Sequence, residues 1–267
     1  MQVISSKDNR IIKDAASLSE KKNRDELGLY LIEGPNIVKE AMEEGGRVRF
    51  IFTRAGEQSD EIADILRIAD EQDLAAYELT SDVFAKVTHT DNPQGIAAVF
   101  EKRQIDQNEF FEKAGSGNIA VLDRLQDPGN VGTILRTAEA FGFCGIVLMK
   151  GTADVYQPKI VRAAAGSLLR LPLLFLDSAD EAVKLLTAHG KKIFAAAMNG
   201  KTILSDADLF SDAAVVIGNE GNGVCESFIE NAETLSIPME GKTESLNAAI
   251  AAATIMYESL RQRRNKK

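Results

Sequence analysis

Residues 119–142 read IAVLDRLQDPGNVGTILRTAEAFG, and three patterns follow one another within them. Ile119 to Leu122 is an unbroken apolar run ending in Asp123, the pattern of a strand buried on both faces. Asp127-Pro128-Gly129-Asn130 then joins four residues that each favour turns through their own backbone chemistry. From Val131 onward apolar residues return at Ile134, Leu135 and Ala138, the spacing of a helix face. Taken alone the turn needs no function, because it ends in Asn130, a good helix cap. Strand, tight turn and helix in this order nevertheless begin a βαβ unit, and open α/β sheets bind their ligands at the carboxyl ends of such strands.

The same alternation extends in both directions. Downstream, strand candidates are GIVLM (145–149), LPLLFL (171–176), KIFAAAM (192–198), AAVVIG (213–218) and ETLSIPM (233–239), with helices beginning near Val131, Lys159, Ala179, Cys225 and Leu246. This predicts an α/β fold with a mainly parallel sheet covered on both faces. Upstream, Asn9–Leu18 reads as a helix and residues 19–28 as a polar stretch. LYLIEG, Val48–Thr53, Leu74–Leu79 and GIAAVF read as strands of a smaller α/β domain, with helices over Pro35–Glu44, Ser59–Glu71 and near Asp82–Lys86. The polar segment ending in Ala-Gly-Ser-Gly reads as a flexible link. The expected division is residues 1–103, a linker at 104–117, and residues 118–267.

Composition narrows the chemistry. Hydrophobic residues make up 45% of the 267, enough for a packed core. Two cysteines and two histidines, all isolated, leave little material for a disulfide framework, a metal centre or a Ser-His-Asp triad. The N-terminal residues have no apolar core of a signal peptide, and no run approaches the ~20 apolar residues of a membrane span; a cytoplasmic protein is expected. The net charge of −9 is unevenly placed: residues 55–116 hold 14 acidic and 5 basic residues, and the chain ends in RQRRNKK. Phosphate recognition needs a local basic patch rather than a basic protein, so nucleic acid is compatible with this balance.

Three segments of the C-terminal half carry candidate chemistry. The first is the turn after Asp123, with Asn130 and Arg136 both expected to border the strand's carboxyl edge. Arginine's planar fork suits phosphate, although a solvated helix face would also explain it. The second is Gly218-Asn219-Glu220-Gly221-Asn222-Gly223. Its glycines are spaced G-x-x-G-x-G, not as the dinucleotide fingerprint, but still permit close backbone approach to a flat ligand or an anion-binding nest. The third is IPMEGKTESLNAAIAAA. Its Gly241-Lys242-Thr243 is not a P-loop, since Ser236 stands where the first glycine is required. Ser245 or Asn247 can cap the Ala-rich helix that follows. Each segment alone has a plain structural explanation; their order, all at strand ends of one domain, does not.

LDRLQDPGNVGTILRTAEAFG, VIGNEGNGV and LSIPMEGKTESLNAAIAAATIMYE together resemble the SpoU (TrmH-type) family of the SPOUT methyltransferases over about residues 118–260. LYLIEGPNIVKEAME and THTDNPQGIAAVFE are similar to that family's small substrate-binding domain. The resemblance implies a deep trefoil knot in the C-terminal domain, which no periodicity could reveal. It also implies S-adenosylmethionine as cofactor, no metal, a homodimer, and an RNA substrate, ribosomal RNA being favoured over transfer RNA. Gly218, Ile237 and Leu246 match cofactor-contacting positions, with Ala197, Met198, Asn199, Pro238 and Met239 lining the adenosine pocket. Asn130, Arg136, Glu220, Ser245 and Asn247 match the polar catalytic set, and none departs from it.

The implied reaction is attack of a ribose 2′-oxygen on the sulfonium methyl group. A guanidinium stays protonated to pH ~12, so Arg136 is read as a phosphate ligand and alkoxide stabiliser rather than as a base. Asn130 and Asn247 would hold Arg136 or the ribose, and Glu220 would orient Arg136 or neighbouring backbone. Three rival readings carry distinct signatures. Methylation of a base nitrogen would leave no nuclease-resistant 2′-O-methyl dinucleotide, a ribosome-associated RNA-binding protein without catalysis would not bind the methyl donor, and a generic small-ligand α/β protein leaves the three linked motifs unexplained.

Overall fold

A strand whose first four residues are all apolar must lie between two neighbours and under cover on both faces, and Ile119–Asp123 does so. In the computed structural model all five of its residues are buried. The structure describes every residue except Gln58, Asp91, Gln104, Lys266 and Lys267. The first residue of the expected linker and the last two lysines of the basic terminal string therefore lie outside the described residues. Two compact units are present: Met1–Arg103 with Asp154–Leu169, and Gln104–Ala153 with Arg170–Lys267.

The first ten elements belong to the first unit. They are β1 (Gln2–Ile4), α1 (Arg10–Ser17), α2 (Lys21–Leu27), β2 (Leu29–Glu33), α3 (Pro35–Glu43), β3 (Val48–Arg54), α4 (Asp60–Glu71), β4 (Ala76–Leu79), α5 (Ser81–Val87) and β5 (Ile96–Glu101). The sheet order is β1-β4-β3-β5-β2, parallel on the β1–β4–β3 side and antiparallel where β5 meets β3 and β2. One face packs Phe52, Leu79, Ala97 and Val99 against Ile12, Val83 and Phe84 of α1 and α5. The polar stretch after α1 is itself helical, because Arg24 of α2 turns inward: its guanidinium donates to the carbonyls of Leu18 and Ser19 and to Asp154 Oδ2.

The second unit begins with α6 (Gln107–Ala114), in the segment expected to be a linker. Phe110, Phe111 and Ala114 are buried in the second unit's core, and that burial makes the segment part of the fold. Then come β6 (Ile119–Asp123), α7 (Pro128–Ala140), β7 (Gly145–Met149), α8 (Pro158–Ala164), α9 (Ser167–Arg170), β8 (Leu173–Leu176), α10 (Ala179–Ala188), β9 (Lys192–Ala196), β10 (Thr202–Ile203), β11 (Ala213–Gly218), α11 (Glu226–Asn231), β12 (Glu233–Ser236) and α12 (Ala248–Asn265). Of these, α8 and most of α9 belong to the first unit, where α8 packs against β2. Residues 154–169 thus leave the expected 118–267 domain, carried by the Arg24–Asp154 pair and by the Tyr30–Tyr156 ring contact at 4.9 Å.

The second sheet runs β10-β12-β9-β11-β6-β7-β8, and every pairing in it is parallel. The chain builds β6, β7 and β8 outward, then returns to place β11 and β9 on the other side of β6. This reversal makes the β6–β11 boundary the switch point at which such sheets bind ligands. Asn118, fully buried just before β6, secures the boundary. It donates to Leu209 O and Ser259 Oγ and accepts from the Ala213 amide, so α12 is tied to the starts of β6 and β11. Among the described residues no helix is long and apolar enough to cross a membrane.

Candidate active site

The carboxyl ends of β6 and β11 are adjacent, with Asp123 level with Gly218. The loops that follow are stitched together side by side. Asp127, not Asn130, caps α7: its carboxylate accepts from the Asn130 amide at 2.8 Å, and Pro128 occupies the first helical turn, where its missing N–H costs nothing. Asn130 is therefore a buried residue inside the first turn, and its side chain is released for other work.

That work is a polar chain across three segments. Glu220 accepts from the amides of Gln126 and Asp127, both at 3.1 Å, and from Asn130 Nδ2 at 3.0 Å. Asn130 Oδ1 in turn accepts from Asn247 Nδ2 at 2.9 Å, and Asn247 Oδ1 takes the Ala249 amide at 2.9 Å, capping α12. Burial pushes the Glu220 carboxyl up. The hydrogen bonds from Asn130 and from the backbone of Gln126, Glu220 itself and Asp127 outweigh it, and the group sits below its ordinary range. A carboxyl held low contributes fully above its unfolded pKa and is lost as pH falls through the folded value. The tie is intact at neutral pH and given up only in acid.

The glycine segment closes on itself. Asn219 and Gly223 exchange backbone hydrogen bonds of 3.1 and 2.8 Å, and Asn219 Oδ1 accepts from the amides of Gly221 and Asn222. Gly218 is required by this closure, since a Cβ there would lie 2.2 Å from the backbone of Gly223 and Val224. Gly200 serves the neighbouring loop in the same way: its Cβ would meet the Leu235–Ser236 backbone at 2.3–2.7 Å.

Between these loops lies a cavity of about 690 Å³, within the range of small-ligand sites. Ile217, Leu235, Ile237, Met239 and Leu246 give it apolar walls, while Glu220, Glu244, Ser245 and Asn247 bring polar groups. Of the residues expected around a cofactor, Ala197, Met198, Gly218, Ile237, Met239 and Leu246 line it; Asn199 and Pro238 lie in the same loops but not in the wall. The expected strand ETLSIPM stops at Ser236, which frees Ile237 to Met239 to line the cavity as loop rather than sheet.

Arg136 does not join this group. It is exposed on α7 and makes no hydrogen bond or ion pair among the described residues. The reason is helical geometry. Six residues advance the helix by about 600°, leaving Arg136 roughly 120° around the axis from Asn130. Within one chain neither Asn130 nor Asn247 holds Arg136, and Glu220 orients backbone and Asn130 instead. Sequence reasoning also passed over Asn219, the hub of the glycine loop, and Asp127; an Asp directly before a helical proline was the available signal for the latter.

Residues 117–257 match the model of the SpoU rRNA Methylase family, and residues 9–98 match an MRM3-like substrate binding domain. The chain is 35% identical over 261 residues to the 23S rRNA (guanosine(2553)-2'-O)-methyltransferase RlmP of Bacillus subtilis (strain 168), covering 96% of this chain and 98% of the relative. Two solved structures share the whole architecture. The AdoMet-bound rRNA methyltransferase from Sinorhizobium meliloti has a TM-score of 0.88 at 28% identity, covering 98% of each chain. The SpoU methyltransferase AviRb from Streptomyces viridochromogenes, in complex with AdoMet, has a TM-score of 0.86 at 29% identity, covering 96% of this chain and all of that one.

Proposed function

The chain belongs to the SpoU rRNA methylase family, and we propose that it transfers a methyl group from S-adenosylmethionine to a ribose 2′-hydroxyl of 23S ribosomal RNA in the cytoplasm. The observation that carries this reading is one cavity walled by the second and third segments and tied to the first through the chain Glu220–Asn130–Asn247.

The cavity suits this cofactor by its own chemistry. Apolar walls from Ile217, Leu235, Ile237 and Leu246 accept a flat adenine ring, and the carboxylates of Glu220 and Glu244 oppose the charge of a cationic ligand. Bound there, S-adenosylmethionine supplies an electrophilic methyl group whose departure leaves a neutral thioether. No group on the protein then has to stabilise the leaving side. The work left to the protein is to position the attacking hydroxyl and manage its charge. Asn130 and Asn247, locked by Glu220 and by the α12 cap, present fixed amides beside the cavity, and Ser245 adds a hydroxyl at its rim.

Arg136 fits this scheme in a homodimer. On α12, Ile250 and Tyr257 are 54% and 57% exposed, seven residues apart on one stripe with Ala253 between them. Two exposed apolar side chains in line offer a surface through which a second copy could pack. Pairing through α12 and its neighbour α7 would direct each Arg136 towards the partner subunit's cavity. Light scattering at micromolar concentration should give a dimer, and Ile250→Glu with Tyr257→Glu should shift it to monomer; a wild-type monomer would refute the pairing.

The test of the function is incubation of the intact chain with labelled S-adenosylmethionine and unmodified 23S RNA, followed by nuclease digestion. Label in nuclease-resistant 2′-O-methyl dinucleotides is expected. Guanosine 2553, named for the Bacillus subtilis relative, is the first nucleotide to map. Label confined to bases, or none, would overturn the reading.

A further inference from the structure

The residues that shape the glycine loop include a charged pair outside the cavity wall. Asp123, at the end of β6, is 2% exposed, and a carboxylate so placed is costly unless paired. Its partner is the next residue in the chain. Arg124 donates to Asp123 through Nε at 2.7 Å and Nη2 at 3.0 Å, and the Cys225 amide donates to Asp123 Oδ2 at 2.7 Å. To reach back to its own neighbour, Arg124 adopts φ +59°, a conformation that non-glycine residues rarely take. Such conformations persist where the surroundings over-determine them, commonly at functional sites.

The surroundings here are the glycine loop. The carbonyl of Arg124 accepts from Asn219 Nδ2 at 2.9 Å, and its Nη2 reaches to 3.4 Å from the carbonyl of Gly223. Asn219 is the residue whose Oδ1 gathers the amides of Gly221 and Asn222. The loop is thus held at its hub by Arg124 backbone, near its far end by the guanidinium, and just beyond at Cys225 by Asp123. Arg124 itself does not line the cavity.

We propose that Asp123 and Arg124 form a positioning clamp that keeps the loop 218–223 in its donor-binding shape and thereby sets the affinity for the methyl donor. The inference rests on the functional reading above, in which this cavity takes S-adenosylmethionine. Arg124 is a positioning residue: it acts through the loop and touches no reacting atom. Its loss should therefore fall on donor binding and leave the chemical step alone.

Arg124→Gly is the decisive variant, because glycine takes a positive φ freely and the side chain is removed without added backbone strain. On the intact chain, titration calorimetry with S-adenosylmethionine should show binding weakened roughly tenfold, in line with losing hydrogen bonds to charged groups. The KM for the donor should rise in parallel, while kcat at saturating donor stays within about twofold and the KM for RNA is unchanged. Arg124→Lys, which keeps the charge without the fork, should lie between the two. A merely structural role would lower the melting temperature and leave the donor Kd of the folded fraction at the wild-type value, and that result overturns the clamp. Should Arg124→Gly fail to fold because the buried Asp123 carboxylate is left unpaired, the same titration on Asp123→Asn decides, and a wild-type donor Kd there overturns the clamp. A wild-type chain that binds no donor would instead sink the functional reading and this inference with it; a wild type that binds no better than Arg124→Gly sinks the inference alone.

Discussion

Arg136→Ala is expected to reduce methyl transfer by a factor on the order of 10²–10³ or more, while S-adenosylmethionine binds with unchanged affinity. The two halves of this expectation come from different observations. The side chain is exposed and outside the cavity, so its removal disturbs neither the walls nor the packing of α7. A guanidinium stays charged at every accessible pH, which suits it to bind the phosphate beside the target ribose and to stabilise charge growing on the 2′-oxygen. Single-turnover methylation beside donor calorimetry separates these effects, and near-normal turnover would refute the role. Because Arg136 points away from its own chain's Asn130, the proposed homodimer adds a sharper expectation. Mixing inactive Arg136→Ala chains with inactive Glu220→Ala chains should restore on the order of a quarter of wild-type activity, since half of randomly paired dimers rebuild one intact site. No recovery would place Arg136 in the service of its own chain.

The second sheet was legible because its strands are buried on both faces and read as continuous apolar runs. Ile119–Asp123, Gly145–Met149 and Ala213–Gly218 stand where periodicity puts them. Short elements were harder. In α6 the pair Phe110–Phe111 offers one turn of pattern inside an acidic segment, and the Asp106 cap together with contact to the second unit's core makes it a helix. The start of α7 was misread because Asn130 and Asp127 are both good caps, and the choice falls to Asp127 through Pro128. Arg136 could have been excluded from its own chain's polar group by counting 100° per residue from Asn130. The chain from Glu220 through Asn130 to Asn247 was not readable in the same way, since it joins residues some ninety and more than a hundred positions apart. The expected lining of a cofactor pocket came from likeness to the SpoU motifs, and the geometry adds Glu244 and Asn219 to the wall of the cavity.

Asp154→Ala should destabilise the first unit by about 3–5 kcal/mol, the cost of leaving one member of a buried ion pair without its partner. The pair is unusually sequestered, with side chains 3% and 9% exposed and Arg24 Nη2 2.6 Å from Asp154 Oδ2. Arg24 would keep its hydrogen bonds to the carbonyls of Leu18 and Ser19, but its charge would face no carboxylate. Asp154 also accepts from the Tyr156 amide at 3.1 Å, so its loss loosens the start of the segment 154–169 that returns to this unit. Arg24→Met should cost a similar amount for the complementary reason, leaving a buried carboxylate and two carbonyls without donors. Combining Arg24→Met with Asp154→Leu should recover much of the loss, because replacing both charges by apolar groups of comparable size removes the desolvation cost along with the attraction. Denaturant unfolding of the three variants checks this, with amide exchange over residues 18–33 assigning the effect to the first unit. Additive losses in the double variant would mean that the two residues stabilise the unit independently and that the ion pair is incidental to residues 154–169 joining it.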